Sequence, residues 1–353
     1  MSAATADGRG EIPGVDLERL GAWMDAEGLP RGAIRGATLL GGGTQNILVR
    51  FSRGGRDWVL RRPPLHKRAN SDETMQREAR VLSALRGSAV PHPDVLAACA
   101  ATDVLGASFT LMEPVRGFLA TQGLPALHAG DAAIRRRMGL ALVDAIAALG
   151  ELDPTAVGLE GFGRPEGFLA RQVARWRRQL EGYSALAGYP GAAIPGVGEV
   201  GDWLERHRPA AGAPGILHGD FHLANVLFSP DDGELAAILD WELATVGDPL
   251  LDLGGLLATW PDADGRGMIA GAVRPWDGFP SAAELVARYA ERSSRRLDAI
   301  RWYEVLACYR LGIILEGTHA RACAGRAERA VGDALHATAL ALFGRARERI
   351  ASA

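Results

Sequence analysis

The spacing of apolar residues changes near residue 117, and this change limits the possible folds more than any other feature of the chain. Before it, TLLGGGTQNILVRF (38–51) and RDWVLRR (56–62) carry β-branched and aromatic runs separated by glycine-rich turns, which predicts antiparallel strands joined by hairpins. SFTLMEPVRG (108–117) is typical of a strand that ends at a proline and a glycine. In MQREARVLSAL (75–85) apolar residues recur at helical spacing, so a single helix is expected on this small sheet.

After residue 117 the pattern is mainly helical. Long periodic segments predict helices at 131–149, 167–180, 282–296, 301–322 and 329–347. Among them, residues 215–249 contain two short apolar strands, VLF and AAILD, separated by the turn-forming SPDDG. We therefore expect an α+β fold with a small antiparallel β N-lobe that carries one main helix, and a larger, mainly helical C-lobe. The predicted division is a flexible N-terminal tail (1–16), an N-terminal nucleotide-binding lobe (17–113), a hinge (114–117) and a C-terminal catalytic and acceptor-binding lobe (118–353).

Composition excludes several classes of partner. The 39 basic and 42 acidic residues give a net charge of −3, which argues against a nucleic-acid binder. No stretch approaches the roughly 20 apolar residues that a membrane-spanning helix needs, so we expect no membrane partner and a cytoplasmic protein. The three cysteines have no spacing typical of a metal site and suit a reducing compartment. The oligomeric state is left open.

Residues 218–228, HGDFHLANVLF, have the spacing of a phosphoryl-transfer loop. Transfer from ATP requires a base near the acceptor hydroxyl, ligands for magnesium, a cation on the phosphates and a backbone cradle over them. Asp220 lies five positions before Asn225, as a catalytic-loop aspartate precedes a metal-binding asparagine. A carboxylate can accept the hydroxyl proton, and an amide oxygen is a hard ligand that suits Mg²⁺.

Asp240 is the second candidate metal ligand. It ends the strand AAILD twenty positions after Asp220, where protein kinases place the aspartate of DFG. Either motif alone could be a turn or a strand end with solvated acids. Their joint occurrence on either side of one hairpin favours the kinase interpretation.

Arg61 is the candidate phosphate cation. It ends the strand segment WVLR, seventeen residues before Glu78, where protein kinases have a lysine paired with a helix glutamate. Compared with lysine, an arginine keeps the positive charge, and its planar guanidinium group can bind a phosphate through two N–H groups. Glu78 is the expected partner of Arg61. The alternative is a surface arginine on a half-buried strand, because the adjacent Arg62 faces the opposite side.

The glycine-rich loop before this strand is the candidate phosphate cradle. Its exposed amides and short polar side chains could surround phosphates, although such a turn can also serve only to reverse the chain. The candidate nucleotide contacts in it are Gly42, Gly43, Thr44, Gln45 and Asn46.

Three neighbours of these motifs are assigned roles other than catalysis. We expect His218 to hold the catalytic loop by hydrogen bonds, since the chemistry already has its base in Asp220. Asp252 suits capping or bracing of the loop, and His222 is expected on the loop surface.

HGDFHLANVLF, ILDWELATVGDPLLDLG and LLGGGTQNILVRF resemble the aminoglycoside phosphotransferase (choline-kinase-like) family over nearly the whole chain. VLRRPP, LMEPVRG and YRLGIILEGTHAR further resemble the branch whose kinase-like domains are fused to certain acyl-CoA dehydrogenases. The resemblance implies a protein-kinase-like two-lobed fold with ATP in the cleft. It also implies Asp220 as base, with Asn225 and Asp240 as metal ligands. By the same analogy, the backbone around Met112, Glu113 and Val115 would face adenine.

Together these features predict an ATP- and Mg²⁺-dependent phosphotransferase that acts on a hydroxyl of a small molecule. The absence of an APE-type activation segment argues against a protein substrate. Arginines outnumber acids in 164–180 and in 289–330, which favours an anionic hydroxy acid or hydroxyacyl thioester over a polycationic acceptor. The alternatives are an aminoglycoside or other antibiotic kinase, and a nucleotide-binding pseudokinase that acts as a regulator.

Overall fold

The computed structural model describes residues 12–41, 46–67, 69–261, 265–267 and 271–352. The chain forms two compact units, a smaller one of Met1–Arg116 with Ala237–Glu242 and a larger one of Gly117–Ala236 with Leu243–Ala353. Among the helices in these ranges, none combines the length and the apolar character that a bilayer crossing requires.

The smaller unit is built on a five-stranded antiparallel sheet in the order β1-β2-β3-β5-β4. Its elements are α1 (Leu17–Ala26), β1 (Arg35–Leu39), β2 (Ile47–Arg53), β3 (Arg56–Arg62), α2 (Ser71–Ala84), β4 (Val95–Cys99) and β5 (Phe109–Met112). The central strand β3 pairs with β2 from Ile47 opposite Arg62 to Arg53 opposite Arg56. Arg61 therefore lies on the middle strand, opposite Leu48 on one side and Thr110 on the other.

The predicted hairpins and the helix α2 are confirmed, but the expectation of a single helix on the sheet is wrong. A second helix, α1, begins at Asp16, whose side chain accepts the backbone N–H groups of Glu18 and Arg19. Leu20 and Met24 of α1 are fully buried in the same core as Trp58 and Phe51 of the sheet. Sequence reasoning did not single out this helix, although the capping Asp16 and the helical spacing of Leu20 and Met24 are local signals, and it did not single out β4. Val15, within the span assigned to a flexible tail, is also buried in this core.

The larger unit is mainly helical, as predicted. Its helices are α3 (Ala126–Gly130), α4 (Ala132–Glu151), α5 (Gln172–Gly182), α6 (Val197–Arg206), α7 (Leu250–Thr259), α8 (Ala282–Arg292), α9 (Ile300–Cys323) and α10 (Arg329–Ala351). The predicted helix over 282–296 ends earlier because Ser293 adopts an extended conformation. Two glycines let α9 and α10 approach closely, since a Cβ on Gly312 would meet the Phe343 ring and one on Gly332 would meet Ala322. The residue nearer the end of α9, Ala322, contacts the residue nearer the start of α10, Gly332, so α9 and α10 run antiparallel.

Short strands position the predicted catalytic loop. They are β6 (Gly215–Leu217), β7 (Val226–Phe228), β8 (Leu235–Ile238) and β9 (Thr245–Gly247), and further two-residue strands are β10 (Arg266–Gly267) and β11 (Gly271–Ala272). β6 pairs with β9 and β7 with β8, so the predicted strand VLF is confirmed, whereas the predicted strand AAILD ends at Ile238, two residues before Asp240. β8 ends in the smaller unit, where the Ile238 N–H donates to the carbonyl of Pro91.

Candidate active site

The loop from His218 to Asn225 is held by side chains of α7 and α9. The buried carboxylate of Asp252 in α7 accepts the backbone N–H groups of His218 at 2.6 Å and Gly219 at 2.8 Å. Arg310 of α9 donates to the Gly219 carbonyl. The His218 ring accepts the Asp220 N–H through Nδ1 at 3.2 Å. The predicted bracing roles of Asp252 and His218 are therefore present in the structure.

Gly219 permits the turn at which Arg310 and Asp252 meet the loop. Its φ is +83°, a conformation that residues with a Cβ rarely adopt. A Cβ there would also collide with the carbonyl oxygen of Leu243. The glycine of HGD is thus required by backbone conformation and by space.

Asp220 and Asn225 lie in direct contact. The Asn225 amide nitrogen donates to the Asp220 carbonyl at 2.9 Å and to its carboxylate oxygen Oδ2 at 3.1 Å. Because both contacts use the NH₂ group, the amide oxygen of Asn225 is left for a different partner. An oxygen is the atom that a hard cation such as Mg²⁺ would use.

His222 was expected on the loop surface, and the structure corrects this. Its side chain is only 12% exposed, and its Nε2 lies 3.5 Å from Asp220 Oδ2 and 3.3 Å from the Asn225 amide nitrogen. Its Nδ1 accepts the Ala224 N–H, which turns the ring inward at the start of a short 3₁₀ turn. The sequence signal was a histidine inside the loop, two positions after the aspartate, but spacing alone did not indicate which way its ring points.

The Asp220 carboxylate is ionised at neutral pH. Burial by itself would raise its pKa, but the hydrogen bond with His222 and the nearby charge of Arg310 lower the pKa to about 2. Such a carboxylate is a weak base, so it can accept a hydrogen bond from an acceptor hydroxyl and orient it. In a loose phosphoryl-transfer transition state, orientation of this kind matters more than early removal of the proton.

Arg61, Glu78 and Asp240 form a second group, in the smaller unit. Arg61 Nε lies 3.0 Å from Glu78 Oε2, and Nη2 lies 2.9 Å from Asp240 Oδ1. The Arg61 side chain is 11% exposed and that of Glu78 4%, so the surface-arginine alternative is excluded. Burial raises the pKa of Glu78, and the positive charge of Arg61 opposes that rise. Burial would lower the pKa of Arg61, but the two carboxylates outweigh it and the pKa is raised.

Asp240 has an unusual backbone conformation. Its φ of 62° is the one positive φ at a non-glycine position in the part of the chain that the structure describes. Aspartate tolerates this region better than most residues, at a cost on the order of 1–3 kcal/mol. Strain of this kind is typical of functional sites.

The remaining predicted nucleotide contacts are only partly described. Gly42, Gly43, Thr44 and Gln45 lie outside the described residues. Asn46 directly precedes β2 and is half-buried, and Met112 is buried at the end of β5. The Glu113 N–H donates to the Asp94 carbonyl at 2.9 Å, so a base bound here would use the carbonyl of Glu113. Val115 is half-buried, and the roles of all these residues remain predictions.

A small pocket opens beside the catalytic loop within the larger unit. The residues from Gly219 to His222 form one wall, and α7 and α9 form the others, with Thr259, Arg310 and Ile314 among the lining residues. Sequence reasoning did not single out Arg310, although it lies in YRLGIILEGTHAR, one of the segments that carry the family resemblance. Its contact with Gly219, 91 positions away, depends on how α9 packs.

Residues 36–290 match the sequence model of the phosphotransferase enzyme family. The chain belongs to this family. The phosphotransferase chain is also 30% identical over 296 residues to acyl-CoA dehydrogenase family member 11 of Gallus gallus. That alignment covers 81% of this chain and 36% of the relative, so the chain spans about a third of the curated relative. The predicted resemblance to the acyl-CoA-dehydrogenase-linked branch is confirmed.

Solved structures confirm the predicted fold. A Ralstonia eutropha protein assigned to the aminoglycoside phosphotransferases is 29% identical with a TM-score of 0.78, over 94% of this chain and 98% of that one. A ternary complex of a thermostable mutant aminoglycoside phosphotransferase with AMP-PNP and hygromycin B has a TM-score of 0.55 and 20% identity, over 90% and 95% of the two chains. The second likeness concerns the fold alone.

Proposed function

We propose that this phosphotransferase-family chain is a small-molecule kinase that transfers phosphate from ATP to a hydroxyl group, with Mg²⁺ as cofactor. The observation that carries the proposal is the ionised Asp220 carboxylate, fixed by Asn225 and His222 beside a pocket. A carboxylate held in this way can accept a hydrogen bond from the acceptor hydroxyl and aim its oxygen at the phosphate.

Asn225 and Asp240 are the proposed magnesium ligands. Their donor atoms fit the ion, because an amide oxygen and a carboxylate are hard oxygen ligands and the Asn225 nitrogen is already committed to Asp220. When bound, magnesium would neutralise the developing charge on the phosphate oxygens. Asn225 would then present its oxygen without losing the contacts of its NH₂ group.

Arg61 is the proposed phosphate contact, with Glu78 as its anchor. Glu78 is the more buried of the two carboxylates at Arg61, whereas the Asp240 side chain is 35% exposed. A nucleotide phosphate could therefore take the place of Asp240 at the Arg61 fork, which would release Asp240 for magnesium. The proposed nucleotide site also includes the amides of residues 42–46 and the backbone of residues 112–115, with the hinge at 114–117.

We further propose an anionic acceptor, either a hydroxy acid or a hydroxyacyl thioester. Arg310 lines the pocket, and Arg310 and Arg175 both lie over the Trp176 ring, with guanidinium carbons 5.5 and 4.9 Å from its centroid. The kinship with acyl-CoA dehydrogenase family members supports the same class. Part of the arginine excess is already engaged, since Arg171 donates to backbone carbonyls and Arg177 pairs with Asp202. Arg310 also donates to the Gly219 carbonyl, but it lines the pocket, so the proposal depends on Arg310 and its neighbour Arg175.

A phosphate-transfer assay tests both the proposed kinase activity and the proposed anionic acceptor. Labelled ATP and GTP would each be offered with hydroxy acids, hydroxyacyl coenzyme A thioesters and kanamycin. We expect transfer from ATP to an anionic acceptor, with a rate that falls as salt is raised. Nucleotide binding without turnover on any acceptor would support the pseudokinase alternative, and efficient transfer to kanamycin alone would overturn the anionic acceptor.

Two aspartate variants complete the assay. Asp220→Asn should keep nucleotide binding and lower turnover by about 10² to 10⁴, the usual size of general-base and positioning contributions. Asp231→Asn, in the exposed turn between β7 and β8, is the matched control and should retain turnover. Near-normal turnover in Asp220→Asn, with chemistry limiting the rate, would contradict the assignment of Asp220.

A further inference from the structure

Helices α9 and α10 bring together a group of side chains that the proposed kinase reaction does not use. Glu316 and His319 lie on α9, three positions apart and therefore on one face of that helix. His336 faces them from α10. One ligand atom from each of the three residues lies within 4.8 Å of the others. Within the described ranges, this is the one such group of three with metal-binding side chains.

Glu316 is a buried carboxylate with a partner on each oxygen. Its side chain is 0% exposed, the Tyr189 hydroxyl donates to Oε1 at 2.6 Å, and His336 Nδ1 lies 2.6 Å from Oε2. A buried carboxylate is stable only when such partners compensate for the loss of water. Tyr189 therefore orients the carboxylate, and Oε2 faces the two imidazoles.

His319 has a carboxylate near one ring nitrogen and a thiol near the other. Its Nδ1 lies 3.3 Å from the Asp333 carboxylate, and its Nε2 lies 3.6 Å from Cys323 Sγ. A histidine that binds a metal through one ring nitrogen usually donates the other N–H to a carboxylate, which sets the tautomer and the ring orientation. In the structure Nδ1 makes no hydrogen bond at this distance, so the ring must turn for Asp333 to take this role, which would leave Nε2, on the side of Cys323, for a metal.

We propose that Glu316, His319 and His336 bind a Zn²⁺ ion, with Cys323 as the fourth ligand. Imidazole nitrogen, carboxylate oxygen and thiolate sulfur are the donors that zinc prefers in tetrahedral sites. The cysteine would lose its thiol proton to solvent on binding. The inference does not depend on the kinase reaction.

Zinc binding requires the side chains to rearrange. The His319 and His336 rings are stacked, with centroids 4.5 Å apart and planes 27° apart, so the rings must turn before their nitrogens point at one ion. Cys323 Sγ lies outside the group of atoms within 4.8 Å of one another and must also move closer. Tetrahedral bonds of about 2.0 Å place a nitrogen and an oxygen ligand about 3.3 Å apart, so the Glu316–His336 contact must lengthen by several tenths of an ångström.

The His336 side chain is 24% exposed, which leaves it room to shift and gives the ion a route from solvent. The charged side chains around the group also favour a cation, because two carboxylates, Glu316 and Asp333, face one cation, Arg329. Arg329 pairs with Asp333, and its Nη1 lies 3.7 Å from Cys323 Sγ.

The competing interpretation is a hydrogen-bonded network that joins α9 to α10 without an ion. The Glu316–His336 and His319–Asp333 contacts could serve that purpose alone. The two interpretations differ in one measurable property, the affinity of the folded chain for zinc.

The test uses the full chain without an affinity tag, stripped with EDTA and dialysed against buffered zinc. Metal content by mass spectrometry and competition with a chromophoric chelator should give about one zinc ion per chain. Zinc at a hundred times its Kd should raise Tm by roughly 5 °C. His319→Gln and His336→Gln should each weaken binding by about 10- to 100-fold or more. His207→Gln, at an exposed histidine of the same unit, is the control and should bind as wild type.

A second measurement on the wild-type chain needs no histidine variant. Cobalt added to the stripped wild-type chain should give the spectrum of a tetrahedral site with a thiolate-to-metal charge-transfer band, and Cys323→Ser should lose that band. Zinc content well below one ion per chain, or equal zinc affinity in wild type and both histidine variants, would overturn the site. Zinc binding without the thiolate band would remove Cys323 from the ligand set.

Discussion

The buried ion pair between Arg61 and Glu78 allows the sharpest test of the candidate nucleotide site. Arg61→Met removes the cation but keeps much of the side-chain volume, so Glu78 is left as a buried charge with its main partner gone. Loss of one partner from a buried pair typically costs about 3–5 kcal/mol, most of it the desolvation of the remaining charge. The Asp240 contact should add little to this loss, because that carboxylate is partly exposed and can be solvated instead.

The loss of stability caused by Arg61→Met should depend on pH in a defined direction. Burial already raises the pKa of Glu78 and Arg61 opposes the rise, so removal of Arg61 should raise the pKa further. A folded-state pKa above the unfolded value means that stability is retained at low pH and lost as pH rises through the folded pKa. The Arg61→Met variant should therefore lose most stability at mildly alkaline pH and less at mildly acidic pH.

A double-mutant cycle isolates the pair. Glu78→Gln removes the charge with little change in shape, so Arg61→Met combined with Glu78→Gln should cost less than the sum of the single changes, with a coupling of about 2–3 kcal/mol. The combined variant should also lose the pH dependence. Urea denaturation at the two pH values, followed by tryptophan fluorescence and circular dichroism, measures these quantities.

The neighbouring strand offers a control. Arg50 and Asp57 form an ion pair of similar geometry, with N and O 2.6 Å apart, but both side chains are exposed. Arg50→Met should change stability little at either pH, because exposed pairs contribute weakly. Additivity of the Arg61 and Glu78 changes within about 0.5 kcal/mol would refute the reasoning, since independent sites behave in that way.

Two further predictions concern the metal ligands and the catalytic loop. Asp240→Ala should abolish the magnesium-dependent part of the thermal stabilisation by ATP, and Asn225→Ala should weaken it less; an unchanged shift in Asp240→Ala would exclude it as a ligand. Asp252→Asn should lower the free energy of unfolding by about 1–3 kcal/mol, because an amide NH₂ would face one of the two buried N–H donors, those of His218 and Gly219. Urea denaturation measures this change, and wild-type stability would contradict the bracing role.

Local spacing predicted many of the elements and contacts whose residues are close in the chain, although it did not predict the helix α1 or the direction of the His222 ring. The strands β2 and β3, the helix α2 and the long helices of the larger unit follow from apolar periodicity, which reports which face of an element is buried. Asp220 and Asn225 lie in one loop, so their five-residue spacing anticipated their contact. The Arg61–Glu78 pair was also anticipated, but only by comparison with the kinase pattern.

Long-range packing decided the contacts between residues far apart in the chain. The Arg61–Asp240 contact joins positions 179 apart, and the contact of Arg310 with Gly219 joins positions 91 apart. Glu316 and His319 share a helix face that spacing can reveal, but His336 joins them because α9 and α10 run antiparallel and Gly312 and Gly332 let them approach. The sequence by itself determined most of the elements and several local pairs, because propensity and periodicity act over a few residues. Tertiary structure decided which side chains from distant elements meet, because that depends on the packing of whole helices and sheets.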